Sequence, residues 1–306
     1  MRFDTEGFLR DFGLFWQYPA ITEKKFYEQN KDDENYIGIP WATILDKRLN
    51  LQIIFNILIR GMSKKNYYTC CQHVYFIHLI PLFKALNITK VYLSHKEKGT
   101  DMLCDIQLLP CPIYALNIED SKFNKEIKKV EDVLSVKRDI LFSFVGGYDP
   151  RIYINDIRKK IYELEQRDNV FIKNTGVWHL NKLVYHPLQN NEKTLNVNEE
   201  HMSQTHDYNK LLLNSRYTLA PSGSGPNSIR FWEALGAGSI PVLLSDTLEL
   251  PAHELWDETI VRIEEKDLNK IYEILEGISE EEENKRRKNC LAIYNYFKDN
   301  YANKTT

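Results

Sequence analysis

The sequence is poor in the features that mark nucleic-acid-binding, membrane and secreted proteins. Its 40 Lys and Arg against 43 Asp and Glu give a net charge of −3, and no long basic stripe is present, which argues against a nucleic-acid partner. Apolar runs such as 51–59 and 74–83 are too short to cross a bilayer. Residues 1–13 lack the apolar core of a secretory signal. We therefore expect a cytoplasmic protein with no transmembrane segment.

Cysteine is equally scarce. The five cysteines include no C-x-x-C pair, and their odd number leaves at least one thiol unpaired. We expect these thiols to be buried and reduced.

What the sequence does contain is an alternation of extended and helical patterns, which is typical of α/β proteins. A length of 306 residues exceeds that of most single domains and favours two. In the first half, strands are predicted over 36–44, 67–76, 91–94 and 106–114, and helices over 51–62 and 78–86. Pro110 and Pro112 place the last of these strands at a sheet edge or in a connector.

A second α/β unit begins near residue 138. The apolar strand 139–145 runs directly into Gly146 and Gly147 and is followed by a helical pattern, which is the start of a βαβ unit. The polar stretch 180–204 predicts a loop or lid. The remaining predictions are helices over 154–166, 207–214 and 228–235, strands over 169–173, 217–220 and 240–244, and two helices after residue 267.

The loop after strand 217–220 is a candidate anion site. Pro221 to Gly225 is made of small residues, which let a ligand approach the backbone amides. Pro226 suits the first turn of the helix that follows, and Gly236 suits its end. Because the N-terminus of a helix offers free N–H groups and a partial positive charge, the loop predicts a binding site for a diphosphate or a similar anion.

Arg230 and Glu233 lie three residues apart, so both project from one face of this helix near its start. A guanidinium there can grip phosphate oxygens, and a carboxylate one turn on can accept hydrogen bonds from two ribose hydroxyls. The alternative is a plain intrahelical salt bridge between the two side chains.

Two stretches resemble the exostosin-like family of glycosyltransferases. Between Pro221 and Asp246 the chain reads P-x-G, then S-x-R-x-x-E-A-L-x-x-G-x-I-P-V, then an aspartate; Arg138 to Gly147 reads RDILFSFVGG. The segment 248–263 is similar to the family's continuation. Looser likenesses before residue 138 are Gln72-His73, His95-Lys96, and Asp105 ahead of Pro110 and Pro112.

The resemblance implies an α/β fold of the GT-B type, with two Rossmann-like domains facing across a cleft. The acceptor-binding domain would span 1–137 and the donor-binding domain 138–280, with a C-terminal helix over 281–306 that packs back on the first domain. The implied reaction moves a sugar from a UDP-sugar to a glycan acceptor with inversion, and it needs no metal or other cofactor. UDP-xylose or a UDP-hexose is the expected donor.

Carried over residue by residue, the resemblance places Arg230 on the diphosphate and Glu233 on the ribose, with Gly146 and Gly147 near the sugar phosphate. The amides and hydroxyls of the loop would come from Ser222, Gly223, Ser224, Gly225, Asn227 and Ser228. Asp246 falls at the carboxyl end of its strand, where open α/β sheets bind ligands, or else it caps a helix.

An inverting transfer needs a general base, and three residues of the first half near predicted strand ends are candidates: Asp46, His73 and His95. Asp46 follows a segment that contains Trp41, and an aromatic ring beside a carboxylate can orient a sugar, so Asp46 is preferred. In the alternative, Asp46 is an acid at the N-terminus of the next helix, and the two histidines are structural.

Two other classes of function fit part of the pattern. Gly223-x-Gly225 between a strand and a helix, with Asp246 roughly 20 residues on, imitates the fingerprint of an NAD(P)-dependent Rossmann enzyme, although Ser228 replaces the third glycine. A non-catalytic carbohydrate-binding relative would keep the fold and lose donor binding, whereas Arg230 and Glu233 are present. A metal-dependent GT-A enzyme would need an Asp-x-Asp motif, which the sequence lacks.

Overall fold

Two sheets of mainly parallel strands form the core of the computed structural model, which describes residues 4–62, 66–128, 132–176 and 199–301. The first sheet contains, in spatial order, β1 (Tyr67–Cys71), β2 (Ile88–Leu93), β4 (Ile106–Pro110) and β3 (Met102–Leu103). The second contains, in spatial order, β6 (Val170–Asn174), β5 (Ile140–Gly146), β7 (Ser215–Pro221), β8 (Ile240–Leu244) and β9 (Val261–Arg262). Neighbouring strands are parallel except for β3 with β4. The predicted α/β class is confirmed.

Helices cover both sheets. Those up to residue 128 are α1 (Thr5–Phe12), α2 (Thr22–Asn30), α3 (Trp41–Asp46), α4 (Leu51–Leu58), α5 (Ile80–Ala85), α6 (Leu116–Glu119) and α7 (Lys125–Lys128). Those after it are α8 (Ile157–Tyr162), α9 (Glu199–Asn214), α10 (Ile229–Gly236), α11 (Ile271–Glu276) and α12 (Glu280–Tyr296). Short 3₁₀ turns span Ile59–Gly61, Phe76–Leu79 and Glu265–Lys270, and a π turn spans Phe297–Tyr301. None of the helices in the described ranges is both long and apolar enough to cross a membrane.

Both sheets contain strands that are buried on both faces. Every residue of β1 and of β8 is buried, as expected for parallel strands with helices on either side. Trp41 lies in the core of the first sheet and packs edge-on against Phe83, with 5.0 Å between ring centroids. Trp232 does the same with Phe297 in the core of the second sheet, at 5.6 Å. The core of each sheet therefore contains a buried tryptophan that packs against a phenylalanine.

The second core also contains residues that come before its sheet in the chain. Ile113, Ala115 and Ile118 precede residue 138 and are buried within it, and α12 packs against α10 there. The Tyr114 hydroxyl donates to the carbonyl of Phe297, so the π turn also contacts the segment that leaves the first sheet. The domain boundaries at 137 and 280 remain a prediction.

Several local predictions are wrong. Residues 41–44, expected in a strand, form α3, and the helix expected at 207 begins at Glu199, so residues 199–204 are not a loop; 177–198 lie outside the described residues. Pro226 precedes α10, whose N-cap is Ser228, and so lies outside its first turn, whereas Gly236 is the last residue of this helix, as predicted. All five cysteines are free as predicted, but Cys104 is exposed.

Candidate active site

The carboxyl ends of the two parallel sheets lie against one another. The Asn227 side-chain amide, after β7, donates to the carbonyl of Ser94, after β2, at 2.6 Å. Lys96 forms an ion pair across the same boundary with Glu249, after β8. The loops that follow these strands thus form a common edge, which is where open α/β sheets bind ligands.

A cavity of about 740 Å³ opens beside this edge, within the size range of small-molecule sites. Gly146 at the end of β5, and Arg230 and Glu233 on α10, form part of its wall. Tyr18 and Asn117 line it from the part of the chain that precedes the second sheet. The cavity therefore brings together three of the residues predicted to bind the donor.

Gly146 is a point of close approach between strand and arginine. A Cβ on this residue would lie 2.9 Å from Nη2 of Arg230 and 3.2 Å from Nη1 of Arg158. Arg230 is held there because its Nε donates to the carbonyl of Val145 at 2.7 Å. Only glycine leaves room for both guanidiniums beside the strand end.

Arg158 is the residue that the sequence reasoning missed. It is 4% exposed, its Nε donates to the carbonyl of Ser222 at 2.9 Å, and its Nη1 donates to that of Gly147 at 3.2 Å. Its guanidinium also lies over the ring of Tyr153. On a helix that contains Arg158, Lys159 and Lys160 in a row, nothing in the spacing singles out the first of them.

The positive charges of Arg158 and Arg230 favour the binding of an anion. Burial, and next the neighbouring Arg230, lower the pKa of Arg158 to about 9. Within the described ranges neither guanidinium has a carboxylate within ion-pair distance. Two neighbouring guanidiniums, one buried and one half-buried, that are held by carbonyl oxygens are stabilised when a ligand brings the negative charge.

Glu233 is buried on the cavity wall and accepts a hydrogen bond from Nδ2 of Asn117 at 3.2 Å. Burial raises its pKa to about 7, although Arg230, Asn117 and Tyr208 act in the opposite direction. Arg230 and Glu233 form no direct salt bridge, so the intrahelical alternative is wrong for these two described residues.

The glycine loop lies outside this cavity. Its amides bond to protein acceptors: Ser222 N to Leu244 O at 3.1 Å, Gly223 N to Gly225 O at 2.8 Å, and Ser228 N to the Asn227 side chain at 2.9 Å. The cavity wall includes none of Ser222, Gly223, Ser224, Gly225, Asn227 and Ser228, nor Gly147. The loop instead packs on the first sheet and, through the Ser222 carbonyl, holds Arg158.

Asp246 also lies outside the cavity. It is exposed beyond β8, and its Oδ1 accepts from the amide of Glu265 at 3.2 Å. Glu265 in turn accepts from the side chain of Asn155, which bonds to the hydroxyl of Ser222. These contacts tie Asp246 to the loop framework at the strand ends.

The three candidate bases come together at the edge of the first sheet. Oδ1 of Asp46 lies 3.1 Å from Nε2 of His73, and Nδ1 of His73 accepts from the amide of Tyr75 at 3.0 Å. Because Nδ1 is an acceptor, the proton of a neutral His73 resides on Nε2 and points at Asp46. The side chain of Gln17 donates to the other oxygen of Asp46.

Asp46 is not the N-terminal acid of the following helix. It is the last residue of α3, and α4 is capped by Asn50, whose side chain accepts from the amide of Gln52 at 2.9 Å. Gln17, which holds Asp46, is followed directly by Tyr18 on the cavity wall. The carboxylate of Asp46 is therefore linked to the cavity wall by Gln17, which contacts it, and by Tyr18, which is the next residue.

His95 lies between the other candidates and the glycine loop. Its Nδ1 is buried without a hydrogen-bond partner, and a Cβ on Gly225 would be only 2.6 Å from that atom. Burial, together with the neighbouring His73, lowers the pKa of His95 to about 3. This imidazole therefore stays neutral across the physiological range.

Residues 103–278, more than half of the chain, match the family model of the Exostosin GT47 domain. The chain belongs to the Exostosin GT47 family. The predicted resemblance to exostosin-like glycosyltransferases is confirmed. The match includes both β5 with its glycines and the segment from Pro221 to Asp246 that suggested it.

Individual relatives are exostosins as well. An Exostosin-1 homolog of Caenorhabditis elegans is 26% identical over 214 residues, which is 67% of this chain and 52% of the relative. Exostosin-1 of Drosophila melanogaster is 40% identical over 78 residues, and Exostosin-1c of Danio rerio is 44% identical over 62 residues. The alignments span about half of the first relative and a tenth or less of the other two.

Among solved structures, the N-terminal domain of Candida albicans trehalose-6-phosphate phosphatase aligns with 90% of this chain and 74% of that domain. The identity is 13% and the TM-score is 0.42.

Proposed function

We propose that this chain is a glycosyltransferase that moves a sugar from a UDP-sugar to a glycan acceptor. The observation that carries the proposal is the pair of guanidiniums beside Gly146, of which that of Arg158 is buried and that of Arg230 lines the cavity. A diphosphate supplies the charge that these groups lack, and bidentate hydrogen bonds to its oxygens suit the guanidinium. Membership of the Exostosin GT47 family supports the same reaction class.

The remaining donor contacts follow from the cavity wall. Glu233, held by Asn117, is positioned to accept hydrogen bonds from the ribose hydroxyls. Two positive groups at the leaving diphosphate would stabilise its developing charge in the way that a metal does elsewhere, so the transfer is proposed to proceed without a metal. Full activity in EDTA and no stimulation by Mg²⁺ or Mn²⁺ are the corresponding expectations.

We place the catalytic base on the acceptor side of a GT-B arrangement, in which the carboxyl edges of the two sheets enclose the substrates. Asp46 is the proposed base, because its carboxylate can take the acceptor proton as the acceptor oxygen attacks the anomeric carbon from the face opposite UDP. His73, through Nε2–H, and Gln17 orient that carboxylate. Attack from the opposite face inverts the anomeric centre.

The alternative of an NAD(P) enzyme is less well supported. It requires the cofactor pyrophosphate to bond the amides at the start of α10 and in its glycine loop. The amides of Ser222, Gly223 and Ser228 already bond to protein acceptors. UDP, and neither NAD nor NADP, is therefore expected to raise the melting temperature.

Replacement of Arg230 by Ala tests the donor site. We expect UDP binding to weaken by about 2–3 kcal/mol, because a charge-assisted hydrogen bond to the diphosphate is lost. Isothermal titration calorimetry measures this loss, and Arg151→Ala, which removes an exposed arginine paired with Asp149, is the matched control. An unchanged UDP affinity in Arg230→Ala contradicts the assignment.

Replacement of Asp46 by Asn tests the base. We expect transfer to fall by a factor of roughly 10²–10⁴, the usual contribution of general base catalysis, while UDP affinity stays within twofold. Product formation is followed with each of UDP-xylose, UDP-glucose and UDP-galactose, so that the same assay identifies the donor. If Asp46→Asn keeps its transfer rate, the base lies elsewhere, and His95→Ala is the next variant to measure.

A further inference from the structure

The segment after β1 exposes two apolar side chains shortly after buried residues. Tyr75 is 54% exposed and Ile77 is 57% exposed, whereas Gln72 and His73 just before them are buried. Single exposed apolar residues are common, so exposure alone means little. Here the two belong to the same loop and 3₁₀ turn that hold the proposed base in place.

Tyr75 is fixed next to the base by its backbone and by its ring. Its amide donates to Nδ1 of His73, and its ring centroid lies 5.6 Å from that of His73 and 6.2 Å from that of His78. An aromatic ring that is held from one side while about half of it faces solvent offers a preformed flat surface at low entropic cost.

The position of this ring is also set relative to the donor side. Val74, one residue earlier, has its Cγ1 only 2.8 Å from where a Cβ on Gly225 would lie. His73, two residues earlier, contacts Asp46. Three consecutive residues of one loop thus have different surroundings: His73 contacts the proposed base, Val74 faces the second sheet, and Tyr75 faces solvent.

Building on the proposed function, we propose that Tyr75 is a platform on which the acceptor sugar ring stacks, so that one of its hydroxyls reaches Asp46. The C–H face of a pyranose is apolar and its rim carries hydroxyls, which matches a tyrosine ring flanked by the imidazoles of His73 and His78. Tyr75 contacts the substrate without taking part in proton transfer.

The charge of the surroundings defines the class of acceptor. The imidazoles of His73 and His78 flank the platform, and the carboxylate reached through the His73 contact is that of Asp46. A sulfated ring or a uronic acid placed there would meet a like charge with little water between them, which is unfavourable. The ring bound on Tyr75 is therefore a neutral pyranose.

Saturation-transfer NMR in the presence of saturating UDP tests this subsite. The probes are xylotetraose, cellotetraose and chitotetraose, with tetragalacturonate as the anionic counterpart. For the wild-type protein we expect transfer to at least one neutral probe and none to tetragalacturonate. Tyr75→Ala should weaken binding of that neutral probe at least fivefold, whereas Tyr75→Phe should retain it.

Met102→Ala is the matched control, because Met102 is 58% exposed and lies on β3, at the opposite edge of the same sheet from β1. With the identified acceptor, Tyr75→Ala should raise the acceptor KM about tenfold and leave kcat within twofold, which a general loss of structure would not do. The UDP affinity of every variant should equal that of the wild type.

Three results overturn the platform: no saturation transfer to any neutral probe, equal binding by Tyr75→Ala and the wild type, or equal losses in Tyr75→Phe and Tyr75→Ala. Binding of tetragalacturonate as tight as that of a neutral probe overturns the charge assignment. Failure of the wild-type protein to bind UDP is a separate outcome, which contradicts the proposed function.

Discussion

At the scale of single residues, the donor site depends on which groups accept hydrogen bonds from the arginine side chains. Arg158 and Arg230 both donate to backbone carbonyls at the ends of strands, so their positions are set by β5 and β7 and not by partner carboxylates. This leaves their charge available to a ligand. Glu233 differs, since its partner Asn117 is a neutral side chain and its surroundings are buried.

The ionisation of Glu233 predicts a pH dependence of nucleoside binding. Burial raises its pKa to about 7, so the carboxylate that accepts from ribose is mostly protonated at pH 6 and mostly ionised at pH 8. We expect uridine affinity to increase as the pH rises through about 7. Uridine is used because it lacks the phosphates of UDP, whose own titration would interfere.

The matched variant for this experiment is Glu233→Gln, which has no carboxyl to titrate. Its uridine affinity, measured by calorimetry at pH 6, 7 and 8, should be low and constant over this range. A wild-type affinity that does not change between pH 6 and pH 8 would show that Glu233 does not act on the ribose as a carboxylate.

At the scale of helices and strands, the apolar pattern predicted the second sheet well and the first half less well. Strand 240–244 coincides with β8, and strand 217–220 lies within β7, because these are continuous apolar runs between polar or glycine-rich segments. Trp, Thr and Ile favour strands, so the composition of residues 41–44 predicts a strand. Since all four are buried in α3, no amphipathic period marks the helix.

The same reasoning explains what was predicted of the site. Arg230, Glu233 and Gly146 stood out because motif and spacing placed them at strand ends or on one helix face, and the cavity brings them together. The spacing of Asp46, His73 and His95 in the chain does not indicate that they are close together, and only the tertiary structure shows that they are neighbours. Arg158 depends on contacts with Gly147 and Ser222, which are 11 and 64 residues away in the chain.

The start of α2 contains a buried acid that predicts a stability effect. Glu23 is 2% exposed and accepts from the amides of Ala42 and Gln72, and burial raises its pKa to about 8. Between about 4.5 and 8 the folded state holds a proton that the unfolded state has lost. The free energy of unfolding should therefore fall with rising pH in this window, by at most about 1.4 kcal/mol per pH unit.

Glu23→Gln removes this titration and keeps a side-chain oxygen for the two amides. Urea denaturation at pH 5, 6, 7 and 8 should show the wild type losing stability relative to Glu23→Gln as the pH rises. Glu28→Gln, on the exposed face of the same helix, serves as the control and should follow the wild type. Parallel curves for wild type and Glu23→Gln would contradict the assigned pKa.

At the scale of the whole molecule, the two sheets are joined through a buried lysine. The Lys96 side chain is 1% exposed, and its ammonium pairs with Asp101 on its own side and with Glu249 on the other. The amide of Glu249 also donates to the carbonyl of Lys96 at 3.1 Å. A charge buried at this boundary depends on both carboxylates, because Asp101 itself is largely exposed.

Glu249→Gln should therefore destabilise the protein by about 1–3 kcal/mol in chemical denaturation, since the ammonium loses one charged partner. The double variant with Lys96→Met should recover part of this loss, because no buried charge then remains. Glu258→Gln breaks an exposed pair with Lys285 and should cost less than about 1 kcal/mol. If Glu249→Gln and Glu258→Gln are equally mild, the Lys96 pair contributes no more than a surface contact.

Few substitutions are expected to be tolerated at Gly225, where the loops of the two sheets meet. A methyl group there would lie 2.6 Å from Nδ1 of His95 and 2.8 Å from Cγ1 of Val74. It would therefore push the loops of the first sheet away from the loop that follows β7. A mutation that adds a side chain at 225 can persist only if the side chains at both 95 and 74 make room for it. Among natural homologues with this cleft, we expect these positions to vary together or not at all.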